Sequence, residues 1–94
     1  MFRHVVLFRV RGDLSDSDVL AAITALRTLG EHPGVLSWDV AVSLDSRKGR
    51  VILEDGAFAD RAAFDMWRAS DRHRAVGERM ARISDWWVGD WERN

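Results

Sequence analysis

Residues 62–83 read AAFDMWRASDRHRAVGERMARI, and the rest of the chain is organised around this stretch. It predicts two helical pieces joined at Arg68–Asp71, with Asp60 and Ser70 as their N-caps. In the second piece the apolar residues recur at helical spacing and form one stripe with an imidazole at its head: His73, Val76, Gly77, Met80 and Ile83. In the first piece three residues are expected to face inward: Ala63, Met66 and Trp67. A titratable ring heading an apolar stripe indicates a site for chemistry.

The segments on either side of this stretch predict strands and one more helix. Phe2–Val10 is a strand with apolar residues on both sides, and Ser15 caps a helix that Gly30 ends. Three further strands are predicted: Val35–Leu44, Arg50–Glu54 and Trp86–Glu92. Leu36, Trp38, Val40 and Val42 share one face of the second strand. The resulting order, strand, helix, strand, strand, helix, strand, predicts an α+β domain of ferredoxin-like βαββαβ topology, with helices on one face of an antiparallel sheet.

The other face of this sheet is predicted to be apolar and uncovered, with Val5, Leu7, Val51 and Leu53 on it. Soluble monomers seldom expose such a patch, so we expect a homodimer that stacks two sheets face to face. Four charged residues are expected to pair across that interface: Arg3, Arg9, Asp39 and Asp55.

The composition narrows the function classes. Ninety-four residues suit a single domain, 1–94, and the formal charge of −1 argues against a protein that neutralises nucleic-acid phosphates. With no cysteine in the chain, disulfides and thiol chemistry are excluded. The apolar run near the start is too short for a membrane segment, so a cytoplasmic location is expected. The spacing of the three histidines predicts no metal site, and no cofactor is implied.

Two histidines are the candidate catalytic residues. His73 lies in the first turn of its helix, where the helix dipole and the neighbouring Arg72 and Arg74 favour the neutral ring of a general base. Strand alternation places His4 on the helix-facing side, from which it can meet His73. Each could instead be a structural histidine, His73 bonded to a backbone carbonyl and His4 partly in water.

Six further residues are candidate ligand contacts. Alternation turns Glu54 towards the helices, where a carboxylate needs a partner such as His4 or His73; a bulge at Gly56 could instead turn it into solvent. Aromatic walls are predicted from Trp67, Trp38 and Phe8, with Val6 and Met80 completing the site, although aromatic residues at such spacing also suit a plain core. Three other tryptophans are expected to pack on the sheet and at the interface: Trp86, Trp87 and Trp91.

Three segments carry a resemblance to a known family: RHVVLFRV at 3–10, PGV at 33–35 and AAFDMWRASDRHRAV at 62–76. They resemble the stress-responsive A/B barrel (Dabb) family, which implies a dimeric α+β barrel. One plant member is a polyketide cyclase that closes a ring by an aldol reaction, using two histidines and a tyrosine. The resemblance places His73 and His4 at the histidine positions and Trp67 at the tyrosine position. The family's usual His-Pro-x-His at the helix kink is Ser70-Asp71-Arg72-His73 here.

These observations predict a protein that binds a small, hydrophobic, carbonyl-bearing molecule. The resemblance extends this to a cofactor-independent cyclase or lyase with His73 as the base. A non-catalytic, stress-associated oligomeric protein with a closed core is the alternative. Whether the chain is an enzyme stays open at this point.

Overall fold

The computed structural model describes residues 1–93 and contains four strands and three α-helices. The strands are β1 (Phe2–Val10), β2 (Val35–Val42), β3 (Val51–Phe58) and β4 (Ser84–Glu92). The helices are α1 (Asp16–Thr28), α2 (Arg61–Arg68) and α3 (Asp71–Ile83), and a 3₁₀ turn at Leu29–Glu31 follows α1. The element order confirms the predicted βαββαβ topology, with the last helix in two pieces.

All strand pairs are antiparallel, and the sheet order is β2-β3-β1-β4. The helices pack on one face of the sheet. Every second residue of β1 from Phe2 to Val10 is buried beneath them, as alternation predicts for this strand. The side chains of one apolar core join the sheet to the helices: Phe2, Val6, Phe8, Ile52, Phe58, Leu26, Phe64, Trp67, Val76 and Met80.

The predicted N-caps are confirmed, and they explain where the helices begin. The side chains of Ser15, Asp60 and Ser70 accept hydrogen bonds from the backbone N–H groups of Asp18, Ala63 and His73, respectively. These bonds satisfy donors that the first helical turn leaves without a partner. The start of α3, and with it the position of its first-turn histidine, is therefore fixed by a local sequence signal.

Several predicted boundaries and orientations were wrong. β3 continues through Gly56 to Phe58 and does not end at Glu54, so no bulge there turns Glu54 into solvent. β2 ends at Val42, and β4 begins at Ser84. Leu36 is 61% exposed because an irregularity between Val35 and Ser37 shifts the register of β2. Met66 is 70% exposed, and the inward-facing side chains of α2 include Phe64 beside Trp67.

The face of the sheet opposite the helices carries exposed apolar side chains. Leu7, Trp87 and Trp91 are each more than two-fifths exposed on this face. Within the chain, Arg3 bonds Asp55 at 2.6 Å and Arg9 bonds Asp85 at 3.1 Å, so the residues predicted to pair across the interface also pair inside one subunit. Their guanidinium groups also lie over the rings of Trp91 and Trp87.

Within residues 1–93, the helices lack the length and apolar character that crossing a membrane requires.

Candidate functional site

A cavity of ≈ 480 Å³ lies between the sheet and the helices. Seven of the eight predicted site residues line it: His4, Val6, Phe8, Glu54, Trp67, His73 and Met80. Its wall also includes residues from α1 and β4, so every layer of the domain contributes. Most of the lining is apolar, and the polar groups are few. A cavity of this kind is typical of small-molecule sites.

His4 is held between two carboxylates. Its Nε2 lies 3.2 Å from Oε2 of Glu54 on β3, and its Nδ1 lies 2.5 Å from Oδ1 of Asp90 on β4. Strand register produces this arrangement, because Asp90 is directly opposite His4 while Glu54 is opposite Val6, one step along the same face. Ionised carboxylates only accept hydrogen bonds, so the two partners favour the protonated ring, which carries a hydrogen on each nitrogen.

The two carboxylates decide the charge state of His4. Burial alone lowers the pKa of the His4 imidazole, but the hydrogen bonds to Glu54 and Asp90, with their coulombic attraction, outweigh burial and leave that pKa raised. Glu54 is itself only 3% exposed, whereas the Asp90 side chain is about one-third exposed. The cluster therefore places two carboxyl groups around a single imidazole at the cavity wall.

His73 has the opposite charge preference. The Oγ of Ser70 accepts the backbone N–H of His73, which sets the imidazole in the first turn of α3, facing the cavity. Burial, repulsion from His4 and repulsion from Arg68 together lower the pKa of the His73 imidazole. The neutral state matches the prediction, although the causes are burial, His4 and Arg68 rather than the neighbours in sequence. A neutral imidazole can accept a proton at pH 7.

Trp67 separates the two histidines. Its ring is fully buried, and its centroid lies 5.3 Å from that of His4 and 4.5 Å from that of His73. The indole N–H donates to the backbone carbonyl of Leu29 at 3.0 Å. Trp67 therefore forms an apolar wall, and its one polar hydrogen is already hydrogen-bonded within the protein.

Trp38, the eighth predicted residue, is not among the side chains that line the cavity. It packs behind Trp67, with ring centroids 5.4 Å apart, and its indole N–H donates to the carbonyl of Leu26 at 3.2 Å. A Cβ added to Gly30 or Gly56 would come within 2.8 Å of the Trp38 side chain. The two glycines thus make room for a tryptophan that supports the aromatic wall from outside the site.

Sequence reasoning missed nine of the sixteen lining residues, among them Asp90, Trp86 and Arg68. Asp90 and Trp86 lie on β4 opposite His4 and Phe8, so strand alternation carried across the sheet could have found them. Trp86 was instead predicted as sheet and interface packing. Arg68 lines the cavity from the last turn of α2, and no motif marked it. No cluster of three or more possible ligands within residues 1–93 has the geometry to hold a metal ion.

Comparison with known proteins gives the chain a family and a fold. The sequence model of the stress responsive A/B barrel domain matches residues 2–93, and no curated protein sequence matches the chain. Among solved structures, a dimeric ferredoxin-like protein of unknown function from Thermobifida fusca has a TM-score of 0.86 at 20% identity, covering 98% of this chain and 90% of that one.

Two further solved structures share the fold. Hydroxynitrile lyase from Passiflora edulis has a TM-score of 0.86 at 19% identity, covering 99% of this chain and 93% of that chain. A Dabb family protein with a ferredoxin-like fold from Mesorhizobium loti has a TM-score of 0.82 at 19% identity, with coverage of 99% and 96%. At these identities the likeness concerns the backbone, and the side chains of the site have to be interpreted on their own chemistry.

Proposed function

The chain belongs to the stress-responsive A/B barrel domain family, and on that premise we propose that it binds a small, hydrophobic, carbonyl-bearing molecule and acts on it by acid–base chemistry. The observation that carries the proposal is the pair of histidines on one cavity of ≈ 480 Å³, one with a lowered pKa and one with a raised pKa. Titratable groups whose surroundings push their pKa values apart are typical of acid–base sites.

His73 is the proposed general base. A ring nitrogen of the neutral imidazole takes a proton from the carbon next to the ligand's carbonyl, and the electron pair of that C–H bond leaves an enolate. The apolar walls at Phe8, Trp67 and Met80 suit a flat, hydrophobic ligand and keep water from competing for the base. No cofactor takes part in this step. Carbon–carbon bond formation or cleavage through such an enolate is the chemistry of aldol-type cyclases and lyases.

Exchange of α-hydrogens tests this function without knowledge of the natural substrate. We expect wild-type protein to catalyse hydrogen–deuterium exchange at the α-carbons of 4-phenyl-2-butanone in D₂O, followed by NMR. His73→Ala should lower the exchange rate by about 10²- to 10⁴-fold, the usual contribution of a general base. His32→Ala is the matched control, because His32 lies in the turn before β2 and bonds the backbone N–H of Gly34, away from the cavity.

The pH profile of this exchange adds an independent check. Since the pKa of His73 is lowered from 6.5, the wild-type rate should hold as pH falls through 6.5 and decline only at lower pH. Two results would contradict the catalytic proposal: binding of the ketone without exchange, and equal exchange rates in wild type and His73→Ala. Either result would favour the non-catalytic alternative.

The proposed assembly is a homodimer through the sheet face opposite the helices. The exposed side chains of Leu7, Trp87 and Trp91 form an apolar surface there, and the Thermobifida fusca relative is described as dimeric. Leu7→Asp places a charge at the middle of this surface and should give monomers or aggregates in size-exclusion chromatography with light scattering. Leu20→Asp, at an exposed position of α1, should leave the dimer intact. A stable Leu7→Asp dimer would place the interface elsewhere.

A further inference from the structure

The cavity contains few polar hydrogens that a ligand could use. Both nitrogens of His4 are engaged by Glu54 and Asp90, and the Trp67 indole N–H donates to the Leu29 carbonyl. The chain has no tyrosine, so no phenol is available to donate to a ligand. A base that produces an enolate needs a second group that stabilises the charge on the oxygen. Neither His4 nor Trp67 has a hydrogen left for that task.

Besides the neutral indole N–H of Trp86, the donor that remains in the cavity lining is the charged side chain of Arg68. It lies at the end of α2, lines the cavity and is close enough to His73 for its charge to repel the protonated imidazole. Ion pairs engage Arg3, Arg9, Arg72 and Arg74, but within residues 1–93 no carboxylate lies within 4.0 Å of the Arg68 guanidinium. A guanidinium offers five N–H donors in one plane and stays charged at any working pH.

We propose that Arg68 binds the anionic oxygen of the ligand, and that the ligand is a β-dicarbonyl compound on an apolar, aromatic body. This inference rests on the proposed function. His73 takes the proton from the carbon between the two carbonyls. The C–H electron pair forms a C=C bond, the π electrons of one carbonyl move to its oxygen, and that oxygen accepts hydrogen bonds from Arg68. The negative charge spreads over both oxygens, which matches a planar guanidinium bonding two oxygens side by side.

The charges of the cavity favour this orientation of the ligand. Glu54 and Asp90 together exceed the single charge of His4, so the wall formed by this cluster repels an enolate. Arg68 attracts it from the end of α2, near His73. With its anionic oxygen at Arg68, the ligand places its acidic carbon beside His73. Its apolar body then packs against the aromatic and aliphatic part of the cavity lining.

The test uses benzoylacetone, an aryl β-diketone whose enolate has its own ultraviolet band, and the neutral ketone 4-phenyl-2-butanone. At pH 7, wild-type protein should bind benzoylacetone with a clear enolate band. Arg68→Met should lower the bound enolate fraction by about tenfold or more, as expected when an opposite charge next to an acid is removed. The Kd for 4-phenyl-2-butanone should stay within about twofold, because that ketone brings no acidic head for a charge-assisted bond.

Two variants serve as controls. Arg79→Met removes an equal charge from an exposed position of α3 that is not part of the cavity lining, and it should behave as wild type. Arg68→Lys keeps the positive charge but lacks the planar guanidinium that can bond two oxygens at once, so it should retain part of the enolate band. If Arg68→Met shows the wild-type enolate fraction, or if Arg79→Met loses as much, Arg68 is not the oxygen-binding group. If wild-type protein binds neither ketone, the proposed function is wrong, and this inference, which depends on it, is wrong as well.

Discussion

Replacing Glu54 by glutamine removes one of the two charges that hold His4. The amide of glutamine has the shape of the carboxylate and keeps one oxygen that accepts from Nε2 of His4. The ion pair is lost, and a hydrogen bond to a neutral amide takes its place. Because the side chains of Glu54 and His4 are only 3% and 8% exposed, water cannot compensate for the missing charge.

The size of the effect follows from this burial. A hydrogen bond to a charged group contributes about 1.5–3 kcal/mol and a neutral one about 0.5–1.5 kcal/mol, so Glu54→Gln should lower the free energy of unfolding by roughly 1 kcal/mol. Glu54→Ala removes the partner altogether, and breaking a buried pair costs about 3–5 kcal/mol. For a domain of this size the glutamine variant should melt roughly 4–8 °C below wild type.

Urea unfolding followed by circular dichroism, at one fixed protomer concentration, measures these differences. Asp55→Asn is the matched control, because Asp55 is the next residue of β3, points to the other face and pairs with Arg3 while about half exposed. That exposed pair should contribute no more than about 1 kcal/mol.

The pH dependence separates the ion pair from simple packing. Since the pKa of folded His4 is raised above 6.5, its contribution to stability is complete below pH 6.5 and is lost as pH rises through the folded pKa. Glu54→Gln removes one cause of that raised pKa, so the alkaline loss should shrink. A glutamine variant as stable as Asp55→Asn, with the alkaline loss of wild type, would refute the charged His4.

Two further predictions concern the support of the site. Gly56→Ala brings a Cβ within 2.7 Å of the Trp38 ring, so it should destabilise the fold by about 1–3 kcal/mol. Gly77→Ala has open space around the added Cβ and should stabilise α3 by about 0.5–1 kcal/mol. Thermal melts of both variants measure these differences. Ser70→Ala removes the N-cap of α3 and should lower the free energy of unfolding by about 1 kcal/mol. Because the cap positions His73, this variant should also catalyse α-hydrogen exchange more slowly. Ser70→Asp restores an acceptor and should recover most of the stability and most of the exchange rate.

The sequence was sufficient for those parts of the fold that depend on local signals. The full extent of β1 followed from its alternation, and the starts of α1, α2 and α3 followed from Ser15, Asp60 and Ser70. The end of β3 did not, because Asp-Gly is a common turn signal. Gly56 instead lies inside the strand because the ring of Trp38 occupies the space where a side chain would be. That requirement is visible only once the strands are packed together.

The site was also partly predictable from local patterns in the sequence. Alternation put His4 and Glu54 on the helix-facing side, and helical spacing put His73 and Met80 on one stripe, and all four line the same cavity. The prediction failed for Trp38, since its position behind Trp67 depends on how β2 packs against two glycines. Arg68 was not found because an arginine on a charged helix carries no pattern of its own.

The pKa values of the two histidines are shifted in opposite directions because their backbone settings differ. Both are withdrawn from water, and burial by itself favours the neutral ring in each. Strand register gives His4 two carboxylates, and the charge that they stabilise then repels a proton on His73. Glu54 and Asp90 therefore help to keep His73 neutral through His4. The acidic pair on the sheet is thus part of the acid–base arrangement, because through His4 it adds to the effect of burial in lowering the pKa of the base on α3.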